Sequence, residues 1–167
     1  MNNRILIAYA SRAGSTAGVA DAIGAAIKLR GLNVDIQQVT AKPSADRYDA
    51  IILGSAVRMG GWLPEMVEFI KTNQAVLQSR PVALFTVHML NTGADETSRA
   101  ARRAYVNSIR PLVDPVDEVF FAGKIELDHL SFVDRLMVKM VKSPIGDFRD
   151  WDSIRAWSSA VFQSQGV

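Results

Sequence analysis

Ile5-Leu6-Ile7-Ala8-Tyr9-Ala10-Ser11-Arg12-Ala13-Gly14-Ser15-Thr16 is the stretch from which the fold can be read. Its first half is an apolar run of strand length, and its second half is a short turn rich in hydroxyls around one glycine. Beyond it, Val19, Ile23, Ala26 and Ile27 recur at helical spacing, with Arg30 closing the run and Gly31 placed as a stop. A buried strand, a turn and an amphipathic helix in that order open a βαβ unit.

The same alternation continues along the chain. Val34 to Val39 alternates apolar and polar residues, as a strand at a sheet edge does. Asp49 to Gly54 reads as a central strand. Pro64 suits the first turn of a helix whose apolar stripe is Met66, Val67, Phe69, Ile70 and Leu77. Pro81 to Val87 is a fourth strand, Asp95 to Leu112 a helix with Arg99, Arg102 and Arg103 outward, and Glu118 to Gly123 a fifth strand. Phe132 to Val141 and Asp152 to Phe162 complete the helices, the last with Asp150 as its cap. This predicts one α/β domain over residues 1–167, a doubly wound five-stranded parallel sheet of order 2-1-3-4-5 with helices on both faces. An extra amphipathic helix lies near 130–142.

Composition narrows the chemistry. The chain has 167 residues, 49% hydrophobic and 22% charged, the mix of a globular protein. It has no cysteine, which removes disulfides, thiolate metal sites and thiol catalysis. With only His88 and His129, a multi-histidine metal site is not expected, and redox chemistry would need an organic cofactor. The formal net charge of +2 is too small to argue for a nucleic-acid partner. Met1-Asn2-Asn3-Arg4 runs straight into the first strand with no room for a signal peptide, so a cytoplasmic location is expected. Nothing in the sequence sets an oligomeric state.

In a doubly wound sheet, ligands bind beyond the carboxyl ends of the strands. Three loops lie there. In the first, Ser11, Ser15 and Thr16 offer hydroxyls, Gly14 permits a close backbone approach, and the following helix points free N–H groups at the loop. Both the G-x-G-x-x-G and G-x-x-x-x-G-K-[ST] patterns are absent. Ser11, Arg12, Ala13, Gly14, Ser15 and Thr16 therefore read either as a phosphate cradle or as a helix cap with Ser15 or Thr16 capping. The second loop holds Ala56, Val57, Arg58, Met59, Gly60, Gly61 and Trp62; Trp62 is either a platform for a flat ring or an anchor for the next helix. The third holds Val87, His88, Met89, Leu90, Asn91, Thr92 and Gly93, whose polar side chains can bond a heterocycle. His88 is the one candidate for proton delivery, with a structural role as its alternative. A planar heterocycle with a phosphate tail fits all three loops, a description that flavin mononucleotide (FMN) meets. A phosphate-receiver domain on this fold would need acidic residues where Ala10-Ser11 and Gly54-Ser55 stand.

At these residues the sequence resembles the flavodoxin superfamily. It is most similar to the flavodoxin-domain family that includes menaquinone-dependent protoporphyrinogen oxidases. Ile5 to Thr16, Ile52 to Gly60, Phe121 to Ile125, Asp134-Arg135-Leu136-Met137 and Asp150-Trp151 carry the likeness. The resemblance implies non-covalent FMN, with its phosphate on Ser11 to Thr16, its ring against Ala56–Trp62 and Val87–Gly93, and Gly123 on the rim. It implies an oxidoreductase that takes electrons from a small or porphyrin-like substrate and passes them to a quinone or another carrier. The alternative is a carrier that hands electrons to another protein. Two departures stand out: electron-carrying flavodoxins are strongly acidic and this chain is not, and the segment Ser143 to Trp151 is shorter than in those oxidases.

The stretch Leu130 to Lys142 carries Phe132, Val133, Leu136, Met137, Met140 and Val141 on one face and Arg135, Lys139 and Lys142 on the other. The expectation is an ordinary helix packed on the sheet. The alternative is a peripheral membrane contact through 130–142, or a cover over a quinone pocket.

Overall fold

A computed structural model describes residues 3–167. Met1 and Asn2, on which the reading of the N-terminus rests, lie outside the described residues. Among those described, no helix is long and apolar enough to cross a membrane, and no cluster of three potential metal ligands occurs.

Five parallel strands form the sheet: β1 (Arg4–Ala10), β2 (Asn33–Gln38), β3 (Ala50–Arg58), β5 (Val82–His88) and β6 (Asp117–Ala122). The spatial order is β2-β1-β3-β5-β6, the expected 2-1-3-4-5 counted over the parallel strands alone. β4 (Gly61–Trp62) is a short antiparallel addition to β3. In register, Ile7 lies beside Ile36 on one flank and Ile52 on the other, and Leu53 beside Leu84. Side chains alternate between two cores. Ile5, Ile7, Ile52, Phe85 and Phe121 pack with Val19, Ile23 and Ile27 of α1 (Ser15–Leu29) and Ile154 of α6 (Trp151–Ala160). Leu6, Leu53 and Leu84 pack with Met66, Phe69 and Ile70 of α2 (Pro64–Thr72) and Leu77 of α3 (Gln74–Ser79). The chain thus leaves β1 toward one face and β3 toward the other, which puts the switch point between them.

Several expected boundaries move. The stripe from Met66 to Leu77 is divided between α2 and α3 at Asn73, whose Nδ2 donates to the Phe69 carbonyl at 2.9 Å. The helix expected over 95–112 is regular only as α4 (Glu96–Ala104); tighter turns carry the chain on to Leu112 and bury Tyr105, Val106 and Ile109. β3 runs four residues beyond Gly54, to Arg58.

The largest correction concerns α5 (Phe132–Met140). It is not packed into either core: none of its residues is buried, and Phe132, Val133, Leu136 and Met140 are 51–81% exposed. Only its inner side, with Asp134, Met137 and Val138, is partly covered. Two short strands flank it, β7 (Lys124–Ile125) and β8 (Gly146–Asp147), paired antiparallel with each other. Asp150 does cap α6, accepting from the Ser153 N–H at 3.0 Å.

Candidate functional site

All five parallel strands point their carboxyl ends to one edge, so the three candidate loops meet there together with the exit of β6. In the first loop Gly14 has φ +85°, a left-handed conformation that glycine adopts without strain. Ser11 Oγ accepts from the Gly14 N–H at 3.0 Å, which sets the shape of the turn. α1 then starts at Ser15 with no side-chain cap and no acid in its first turn. The reading of Ser15 or Thr16 as a cap therefore fails. Ser15 Oγ instead accepts from the Lys124 N–H at 2.9 Å, tying the loop to the end of β6. Thr16 is 1% exposed and its hydroxyl has no hydrogen-bond partner. A buried hydroxyl without a partner is costly, and uncapped N–H groups at a helix start attract an anion. A phosphate on this loop answers both conditions, so the donor set fits one. Arg12 is half-exposed and pairs with Glu65 of α2 at 3.0 Å.

The second loop is a β-hairpin. Val57 pairs with Trp62 and Arg58 with Gly61, so Met59 and Gly60 form a two-residue turn with φ of +52° and +75°. Positive φ at both positions matches the twist of the flanking strands, and leaves the Met59 side chain 89% exposed. Ser55 fixes the hairpin base: its Oγ accepts from the Leu63 N–H at 3.0 Å and donates to the Ala56 carbonyl at 2.8 Å. Trp62 is buried, and its Nε1–H donates to Thr86 Oγ1 at 2.9 Å. It is an anchor in the core and not a stacking platform. Ala56, Val57 and Gly61 are partly exposed, so backbone and small side chains face the edge.

In the third loop His88 turns inward and Asn91 is tied back to Tyr105. His88 is buried, its Nδ1–H donates to the Leu90 carbonyl at 2.7 Å, and its ring lies against Tyr105 and Phe120. Burial holds its pKa below the usual histidine value, the bond to Leu90 opposing this. The ring is neutral and its one proton is committed, so the expectation of proton delivery is not supported. Asn91, at φ +60°, donates through Nδ2 to the Tyr105 hydroxyl at 2.7 Å. Arg102 Nη1 donates to the carbonyls of Asn91 and Gly93. Val87 belongs to the core under α1. What the loop presents outward is Leu90, Asn91, Thr92 and Gly93, all exposed, and part of Met89. Gly123 is a packing residue more than a rim: a Cβ there would lie 2.7 Å from Val87 and 3.0 Å from Ser15 Oγ.

Reading the sequence did not find the braces. Tyr105 and Arg102 hold the third loop from 14 and 11 residues beyond Asn91. Lys124 and Arg149 come to the first loop from the far end of the chain and, with His129, help line a cavity of about 260 Å³ beside Ala13, Gly14 and Ser15. Arg58, on the hairpin, pairs with Asp134 of α5 at 3.2 Å and contacts Met137 Sδ at 3.6 Å. No local pattern marks these residues; only the proximity of Arg149 to Trp151, over which its guanidinium lies at 4.5 Å, hints at a fixed arginine.

Known proteins bear on the same region. The chain matches the family model of the flavodoxin domain over residues 6–152. The protoporphyrinogen IX dehydrogenase (quinone) of Escherichia coli strain K12 is 24% identical to it, over 95% of this chain and 94% of that protein. A flavodoxin from the domain Archaea superposes with a TM-score of 0.61 at 17% identity, covering 98% of this chain and 99% of that one. Flavodoxin 2 of Bacillus cereus superposes with a TM-score of 0.55 at 25% identity, covering 72% and 84%.

Proposed function

This chain belongs to the flavodoxin-domain family, whose members are flavin-dependent redox proteins, and within it we propose an FMN-dependent oxidoreductase that moves electrons from a porphyrinogen-like substrate to a quinone. The observation that carries the cofactor assignment is the buried, unpartnered Thr16 hydroxyl at the uncapped start of α1. The hydroxyls of Ser11 and Thr16 and the free N–H groups at the start of α1 would hold the phosphate; Ala56 to Gly61 and Met89 to Gly93 would line the ring with backbone and small groups. The bound flavin would supply the redox chemistry. The protein's share is to fix position: Ser55 and Trp62 lock the hairpin, and Tyr105 and Arg102 lock the third loop.

The quinone acceptor is supported by α5. The helix that carries its outward ridge of Phe132, Val133, Leu136 and Met140 also carries Arg135 and Lys139, with Lys142 just past its end. That is the pattern of a helix lying at an anionic lipid surface, where a quinone is found. Its tie to Arg58 places it beside the hairpin of the site. Electron-carrying to a protein partner is the second reading, favoured by one fact: no side chain at the ring loops is free to move a proton.

Anaerobic reduction of the FMN-loaded protein by protoporphyrinogen IX, followed by reoxidation with a quinone over many turnovers, is the expected result. A protein that takes up FMN but turns over neither compound, while exchanging electrons with a redox protein, would establish the carrier. A preparation that takes up no FMN would refute both. Flotation with anionic vesicles, reversed by high salt, is expected of α5; its absence at low salt would remove the membrane contact.

A further inference from the structure

We infer that Arg149 and Lys124 form a cationic wall of the phosphate site and make the protein select a phosphorylated flavin over its unphosphorylated form. The inference rests on the flavin reading above and concerns residues outside the loop 11–16. The start of α1 is the positive end of a helix dipole, where acids are favoured and cations are not. Its first turn contains no acid. The segment returning from β6 brings two cations there instead: Lys124 and Arg149, together with Glu126 and His129, line the cavity beside Ala13, Gly14 and Ser15.

Arg149 is held firmly. Its side chain is 13% exposed, its Nε and Nη2 donate to Asp147 at 2.8 and 2.6 Å, and its plane covers Trp151. Nη1 takes no part in those bonds and lies against the first turn of α1, where a Cβ on Gly18 would come within 2.8 Å of it. Glycine at position 18 is what admits the guanidinium. Lys124 Nζ pairs with Glu126 at 2.7 Å, and Glu126 also meets His129 Nε2 at 3.3 Å. Each cation already has a carboxylate, so both are fixed before a ligand arrives; Arg149 Nη1 and the remaining Nζ protons are the donors left over. A guanidinium against the positive end of a helix is unfavourable by itself. A dianion in the cavity turns that contact favourable.

The test is flavin-binding titration of the flavin-stripped protein by fluorescence quenching, with FMN and riboflavin, at low and high salt. Arg149→Gln and Lys124→Gln are each expected to weaken FMN by about tenfold or more while moving riboflavin by less than about twofold. Arg149→Lys should recover part of the loss. Inorganic phosphate should raise the melting temperature of the flavin-free wild type and do so less in both Gln variants. Equal losses for FMN and riboflavin, or unchanged FMN binding in variants with a native melting transition, would overturn the inference. Lys124→Gln keeps the experiment decisive should Arg149→Gln fail to fold, because the Lys124 bond to Ser15 is made by its backbone. A wild type that binds neither flavin but is stabilised by phosphate through Arg149 would refute the flavin reading and leave the anion site standing. No phosphate effect in that case would refute both.

Discussion

Thr16→Val separates a phosphate site from a helix start more sharply than any other substitution in this chain. Threonine and valine are both β-branched and nearly equal in shape, so helix propensity and packing barely change. The hydroxyl that is lost is buried and unpartnered. Such a group costs about 1–3 kcal/mol. Removing it should stabilise the flavin-free protein by about 1–2 kcal/mol, a rise of roughly 2–8 °C in melting temperature for a domain of this size. In the proposed FMN complex the same hydroxyl would donate to a charged oxygen, a bond worth about 1.5–3 kcal/mol. Its loss should weaken FMN by about 10- to 150-fold. Riboflavin, with no phosphate, should be unaffected. The assay is a pair of thermal melts on flavin-free protein and a pair of fluorescence titrations. A flavin-free Thr16→Val protein that is less stable than wild type, with FMN affinity unchanged, would refute the argument, because the hydroxyl would then be supporting the fold and not awaiting a ligand.

Trp62→Phe should destabilise the fold by about 1–3 kcal/mol, since it leaves the fully buried Thr86 hydroxyl without its donor, and should change FMN affinity little; a large loss of FMN with unchanged stability would restore Trp62 as a stacking platform. Gly54→Ala puts a Cβ 1.9 Å from the ring of fully buried Phe85, so soluble expression or cooperative melting should be lost and partly regained with Phe85→Leu; a well-folded single variant would contradict the packing described. His88 is held neutral by burial, so its folded pKa lies below the unfolded value of 6.5. The unfolded chain then binds more protons below that pH, and stability should be full above pH 6.5 and fall as the pH drops through it toward the lower folded pKa. Denaturant titrations across this range should show a slope that His88→Gln flattens; an unchanged slope would assign it to other groups.

The sheet was legible because each strand is an apolar run bounded by turn residues and each crossover helix keeps its 3.6-residue stripe. Ile5 to Tyr9 has only one plausible use. The phosphate loop was legible as a composition, yet its decisive property was not: that Ser11 caps Gly14, Ser15 holds Lys124 and Thr16 is left with no partner depends on contacts as distant as 109 residues. His88 and Asn91 misled because polar residues at a strand exit look like ligand contacts. Tyr105 satisfies Asn91 and, with the Leu90 carbonyl, encloses the His88 ring. A residue's chemistry can be read in sequence, but whether its donors are already spent cannot. α5 misled for the opposite reason. Its amphipathic stripe is the signature of a helix with a buried face, and periodicity does not say whether the face is covered by the same molecule.

The exposed stripe matters because of where the chain attaches it. The segment from Lys124 to Trp151 reaches both ends of the proposed cofactor: Lys124 and Arg149 stand at the phosphate loop, and Asp134 holds Arg58 on the hairpin beside the ring. Between these ends, the β7–β8 pair and the Phe148 N–H bonded to the Gly123 carbonyl at 3.0 Å fasten the segment to the exit of β6. Trp151 packs against the core under α1, but the other attachments are polar or near the surface and no α5 side chain is buried, so α5 is held less firmly than the sheet that carries it. A flavodoxin-like core could retain a flavin through its first loop alone. Here an arginine beside the first loop and an apolar helix beside the hairpin lie on one continuous segment. With the proposed flavin bound, a surface that engages Phe132, Leu136 and Met140 would meet the same segment that carries Asp134, the partner of Arg58, and Arg149 at the first loop.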